Sequence, residues 1–174
     1  MIPVVVGVFY LPGGWLSPHE RNLIACVVFT AAAITDVLDG YLARRLNQMS
    51  AFGAFLDPVA DKLMVAAALI VLVELMRVHP VIAVIIIGRE IAVSALREWM
   101  AKIGEAKSVA VNLLGKTKTI AQMVAIPMLL YHDRIPLFDP RWVGTWLMYL
   151  AAVLTLISMF YYMKLAAPRA ARHD

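Results

Sequence analysis

Asp36-Val-Leu-Asp39-Gly40-Tyr-Leu-Ala43-Arg44, followed after eight intervening residues by Gly53-Ala-Phe-Leu-Asp57-Pro58-Val-Ala-Asp61, decides how this chain is read. Both flanks of the stretch are continuously apolar. A carboxylate inside a membrane helix costs roughly 2.5–3.5 kcal/mol even on the lenient insertion scale, and four together repel one another. Such a cluster makes sense around something cationic, and hard divalent ions are the usual occupants of all-oxygen sites.

The surroundings point to a membrane. Of 174 residues, 62% are hydrophobic and only 16% charged, and the mean hydropathy is +0.78. A soluble domain of this size carries more charge. The single cysteine, Cys26, excludes an intrachain disulfide and any CxxC metal or redox motif. The apolar start lacks a basic flank and a small-residue cleavage site, so it does not read as a cleavable signal.

Apolar segments run over 2–11, 22–46, 54–76, 80–101, 112–131 and 142–163, separated by Gly and Pro breaks. The last five have spanning length at about 1.5 Å per residue; the first covers only about 15 Å, half a span. The expectation is an all-α, polytopic membrane domain over 1–174 with a shortened first helix, an N-terminally incomplete start and a short basic tail at 164–174. If the loop after the second segment is cytoplasmic, twelve of the sixteen Lys and Arg residues fall inside, and Arg21, Arg77, Arg134 and Arg141 fall outside. That is a positive-inside bias, and it sets the acids on the cytoplasmic side.

On a helix, Asp36, Asp39, Gly40 and Ala43 share a face, as do Gly53, Asp57 and Asp61 on the next. A polar turn from Arg45 to Ser50 joins the two into a hairpin whose acidic faces can converge. Gly40, Ala43 and Gly53 leave room for something bulky, and Arg44 is the cation beside the acids, suited to a phosphate. Simpler readings exist for single members. Asp57-Pro58 has the form of a helix start, aspartate capping and proline first, and Asp39-Gly40 that of a turn. Neither accounts for Asp36 and Asp61.

The pattern D-x2-D-G-x2-A-R-x8-G-x3-D-x3-D, met at every fixed position by Asp36, Asp39, Gly40, Ala43, Arg44, Gly53, Asp57 and Asp61, resembles the signature of the CDP-alcohol phosphotransferase family of membrane enzymes. The resemblance implies six transmembrane helices, a homodimer and a polar cavity open to the cytoplasm. In that family a CDP-activated compound donates a substituted phosphoryl group to an alcohol and releases CMP. It also implies that Asp36, Asp39, Asp57 and Asp61 hold Mg²⁺ or Mn²⁺, with Asp57 and Asp61 catalytic and Asp61 either general base or metal ligand. Gly40, Ala43, Arg44 and Gly53 would bind the donor.

A second polar set suggests the acceptor. Arg89 lies nine residues after Pro80, about 13 Å along its helix and so near mid-membrane. Glu90 and Arg97 share a face, with Arg89 pointing elsewhere, so Arg89 calls for a buried phosphate or an acid from another helix. Lys116 and Lys118 open the next apolar segment. Snorkelling to the interface is the plain reading of Arg97, Lys116 and Lys118. Taken together, Arg89, Arg97, Lys116 and Lys118 favour an acceptor that itself bears phosphate. The stretches Phe52–Lys62, Gly88–Trp99 and Gly115–Gln122 resemble the branch of the family that joins CDP-diacylglycerol to sn-glycerol 3-phosphate, in a bacterial inner membrane with the site facing the cytoplasm. The alternatives are a cardiolipin synthase of the same family, using phosphatidylglycerol, and a cation-coupled transporter. A transporter fits poorly with the lack of an inverted repeat.

Overall fold

A computed structural model describes residues 2–12, 14–46, 51–104, 113–136 and 138–170. Among them are six helices and no sheet: α1 (Ile2–Tyr10), α2 (Pro18–Arg45), α3 (Ala51–Glu74), α4 (Pro80–Lys102), α5 (Leu113–Tyr131) and α6 (Pro140–Ala170). The first has 9 residues, and the other five range from 19 in α5 to 31 in α6. One short and five long helices is the expected pattern.

Three helices begin alike, with a side-chain acceptor followed by proline. Ser17 and Glu20 form a reciprocal capping box before Pro18. His79 Nδ1 accepts from the Val81 amide beside Pro80. Asp139 Oδ1 accepts from the Arg141 amide beside Pro140. In each case proline occupies the position whose N–H has no helical partner. Ser17-Pro18 starts α2 four residues before the apolar run does. At its other limit α6 continues through Lys164 to Ala170, so most of the expected tail is helix.

Asp57-Pro58 has the same written form but lies six residues inside α3. The helix-start reading of this pair is therefore wrong. Proline is tolerated within a membrane helix because neighbouring groups re-satisfy the freed carbonyl. Asp39-Gly40 is likewise interior to α2 and not a turn.

Helix α5 lies against α2 and α6, α4 against α6, and α1 against α2 and α3. Between α5 and α6 the approach is close: a Cβ on Gly144 would stand 2.9 Å from Leu129 Cγ. Met148, Ala151, Thr155, Ser158 and Tyr162 continue the buried stripe of α6 at alternating spacings of four and three, the seam geometry of packed helices. The apolar core gathers Phe29, Leu69, Leu72, Ile86, Ile126 and Leu129 from α2 to α5. A smaller cluster of Val93, Met100, Tyr162 and Ala166 joins α4 to α6.

The outer surface is apolar as well. Ile34, Val37, Ile70, Val84, Ile91, Ile120, Val153 and Phe160 are all exposed, far more than a water-facing surface tolerates. Helices α2, over Pro18–Asp39, and α6, over Pro140–Ala166, are long and apolar enough to cross a membrane. Trp142, Trp146 and Tyr149 stack edge to face at the start of α6, where interfacial aromatic residues gather.

Every arginine assigned to the outer side has a local structural partner. Arg77 donates through Nη1 to the carbonyls of Leu129 and Leu130, at 3.1 and 2.8 Å, and through Nη2 to Asn22 Oδ1 at 2.7 Å. Arg21 donates to the Pro12 carbonyl. Arg134 and Arg141 both donate to Asp139. These contacts tie the start of α2, the α3–α4 turn and the end of α5 into one knot.

Candidate active site

Asp36, Asp39 and Asp61 line one cavity of about 330 Å³, together with Pro3, Ala32, Thr35, Ala60 and Met64. The two elements of the expected hairpin supply all three acids: Asp36 and Asp39 from exposed positions on α2, Asp61 from a half-buried one on α3. Asp61 lies within electrostatic reach of Asp36, Lys62 and Lys118. Position 57 is one turn before Asp61 on α3. The side chains at Asp57, Gly40, Ala43, Arg44 and Lys116 lie outside the described residues. Gly53 is half-buried near the start of α3.

A second cavity, of about 590 Å³, shares Asp36 and Asp61 with the first. Its other walls are largely apolar, with Ile34, Val37 and Leu38 on α2 facing Ile120, Met123 and Val124 on α5. Charge and apolar volume therefore meet at the same two carboxylates.

As a donor set for a cation, Asp36, Asp39 and Asp61 offer oxygen only, the chemistry that Mg²⁺ and related ions take. Among the described residues no group of three or more acidic, histidine or cysteine side chains is disposed to hold a metal ion, and the Asp57 side chain lies outside them. A hard divalent ion held by these carboxylates would take its further ligands from water or substrate phosphate.

Within the bundle is a buried polar layer: Arg89 on α4, Lys118 and Gln122 on α5, and Thr155 and Ser158 on α6. Arg89 is 6% exposed and Lys118 only 1%. Lys118 does not snorkel. Its ammonium is paired with Glu90. Arg89 Nη1 stands 3.6 Å from the same Glu90 oxygen, which corrects the expectation that Glu90 points away from Arg89. Glutamate has reach enough to bend across the 100° between adjacent helical positions, and Lys118 draws it inward. Arg89 Nη2 donates to Ser158 Oγ at 3.0 Å, and that hydroxyl donates to the Thr155 carbonyl at 2.9 Å. Arg97 Nη2 donates to the Tyr162 hydroxyl at 3.0 Å.

Thus the structure brings Arg89, Arg97 and Lys118 into one neighbourhood and links Lys118 electrostatically to Asp61. Sequence reasoning missed Thr155, Ser158 and Tyr162. Their signal was the four-and-three spacing of α6, which turns from small apolar residues to hydroxyl-bearing ones in its second half.

A family profile described as CDP-alcohol phosphatidyltransferase matches residues 1–157. The CDP-diacylglycerol--glycerol-3-phosphate 3-phosphatidyltransferase of Escherichia coli (strain K12) is 51% identical over 168 residues, covering 95% of this chain and 88% of that protein. The identically named protein of Shigella flexneri serotype 5b (strain 8401) shows the same identity and coverage.

Proposed function

The chain belongs to the CDP-alcohol phosphatidyltransferase family, and from that premise we propose that it transfers a phosphatidyl group from CDP-diacylglycerol to sn-glycerol 3-phosphate. The products are phosphatidylglycerol phosphate and CMP. The observation that carries this reading is the meeting of the two cavities at Asp36 and Asp61. An amphiphilic donor needs an end where a carboxylate-held cation can meet its diphosphate and an adjoining apolar volume for its acyl chains, and the linings of the two cavities support that division.

In the reaction, the acceptor hydroxyl oxygen forms a new bond to the lipid-side phosphorus. The bond from that phosphorus to the oxygen bridging it to CMP breaks, and the hydroxyl proton passes to a base. Asp61, within electrostatic reach of Lys118, is the base or a metal ligand. The family depends in general on a divalent metal. Here Asp36, Asp39, Asp57 and Asp61 would hold Mg²⁺ or Mn²⁺, which neutralises the diphosphate when bound. Arg44 pairs with a donor phosphate, while Gly40, Ala43 and Gly53 give the cytidine room. Arg89, Arg97, Lys116 and Lys118 receive the acceptor's phosphate.

The reading includes a homodimer in a bacterial inner membrane, its site on the cytoplasmic face. The twelve-to-four distribution of basic residues supports that orientation. The deciding experiment is CMP release from CDP-diacylglycerol by purified protein with glycerol 3-phosphate, glycerol, serine or phosphatidylglycerol as acceptor. Release with glycerol 3-phosphate alone is the expected result. Release with phosphatidylglycerol instead would make it a cardiolipin synthase, and no release with any acceptor would sink the enzyme reading.

A further inference from the structure

Tyr162 is the largest fully buried side chain among the described residues, at 0% exposure. It sits where two cations converge. The guanidinium carbon of Arg97 is 5.2 Å from its ring centroid and that of Arg89 is 5.8 Å away, both within the range of a cation–π contact. Its hydroxyl accepts from Arg97. One turn earlier on the same face of α6, Ser158 accepts from Arg89. Helix α6 therefore grips one guanidinium with Ser158 and the other with Tyr162, and both lie against the same ring.

This arrangement is costly in isolation. Arg89 and Arg97 bear like charge and act on each other. Among the described residues their neighbourhood holds Arg89, Arg97 and Lys118 against Glu90, a local excess of two positive charges. Asp61, also within reach of Lys118, belongs to the acid cluster beyond. The Nε atoms of both arginines are buried with no hydrogen-bond partner, which is expensive for a charged donor. Two unmet donors beside an excess of two positive charges suit a phosphomonoester, which carries about −1.5 to −2 at neutral pH and three acceptor oxygens.

We propose that Tyr162 is a positioning residue for acceptor recognition, holding Arg89 and Arg97 side by side so that they meet a dianionic phosphomonoester already ordered. The inference rests on the acceptor reading given above. Tyr162 acts through the arginines and does not itself touch the reacting atoms.

The test is steady-state kinetics of Tyr162→Phe, Tyr162→Leu, Arg89→Gln, Arg97→Gln and the Tyr162→Phe/Arg97→Gln double variant, with glycerol 3-phosphate and CDP-diacylglycerol varied separately. Tyr162→Phe keeps the ring and loses one oxygen, so it keeps the packing. Its acceptor KM should rise about 5- to 10-fold, and that of Tyr162→Leu about 30- to 100-fold. The donor KM and the kcat at saturating acceptor should stay within about twofold for both. On the Arg97→Gln background, Tyr162→Phe should add nothing further, the mark of a residue that works through its partner. If Arg89→Gln and Arg97→Gln raise the acceptor KM while both Tyr162 variants leave it unchanged, the positioning role is overturned and the acceptor site stands. A parallel rise of both KM values would make Tyr162 a packing residue only. Unchanged acceptor KM in both arginine variants would overturn the acceptor reading itself, and this inference with it.

Discussion

Lys118 on α5 and Glu90 on α4 form an ion pair inside the helix bundle, with the lysine ammonium almost wholly removed from solvent. Burying two charges is repaid only when both are paired, and removing one partner typically costs about 3–5 kcal/mol. Arg89 remains near Glu90 and softens the loss. Lys118→Met should therefore destabilise by about 3 kcal/mol, the low end of that range. Lys118→Met/Glu90→Leu should regain most of this in thermal unfolding in detergent. The acceptor KM should stay raised in the double variant, because stability returns without the cation. Recovery of both would make Lys118 a structural residue alone.

Asp36 and Asp61 meet across both cavities, and their neutral isosteres separate charge from shape. Asp36→Asn and Asp61→Asn should each lower turnover by several orders of magnitude while the protein stays folded and membrane-inserted. Chelation should abolish the parent's activity, and Mg²⁺ or Mn²⁺ should restore it. Independently of activity, added divalent ion should raise the parent's unfolding midpoint, because an ion that binds only the folded state stabilises it. In Asp61→Asn that shift should shrink or vanish. An undiminished shift would remove Asp61 from the ligand set.

Gly144 allows α6 to lie against α5. A Cβ there would meet Leu129 Cγ at 2.9 Å and Met128 Cβ at 3.1 Å, and Leu129 is itself buried at 1% exposure. Neither atom is the loose end of a flexible chain. Gly144→Ala should cost about 1–3 kcal/mol through forced displacement of α5, and Gly144→Val more. Unfolding midpoints of the pair check this. No loss in either would mean that the two helices can separate freely.

Much of this architecture was legible in the chain. The apolar runs marked α2 to α6 within about four residues except at the end of α6, which continues seven residues past its run, because membrane helices satisfy their own backbone and read as unbroken apolar length. The acids of α2 and α3 were legible because charge in such a run is conspicuous. Asp57-Pro58 misled because its local form matches Ser17-Pro18, His79-Pro80 and Asp139-Pro140, and only the helical turn preceding it distinguishes it. The Arg89–Glu90 contact was hidden because helical angle fixes where a Cα points, not where a long side chain ends. Tyr162 was hidden because the four-and-three spacing sets it on the buried stripe of α6 but does not say what it meets until Arg89 and Arg97 are seen against its ring.

His132, just beyond α5, provides a pH-dependent prediction outside the membrane-spanning segments. Burial, aided by the positive charges of Arg77 and Arg141, lowers its pKa below the usual imidazole value, and Asp133 and Asp139 oppose this only in part. The folded protein thus prefers neutral imidazole, whereas the unfolded chain titrates near the ordinary value of about 6.5. Above that pH neither state binds the proton and the contribution to stability is complete. As pH falls through and below it, the unfolded chain takes up the proton first, and the contribution is lost toward the lower folded value. Asp139, held well below the ordinary carboxylate range chiefly by its hydrogen bond with Arg141, stays ionised throughout this window. His132 also sits at φ +55°, a left-handed conformation that asparagine accepts more readily than most residues. His132→Asn should therefore fold normally and lose less of its unfolding midpoint than the parent between about pH 7 and pH 5. Identical pH profiles for the two proteins would show that His132 does not contribute to acid sensitivity.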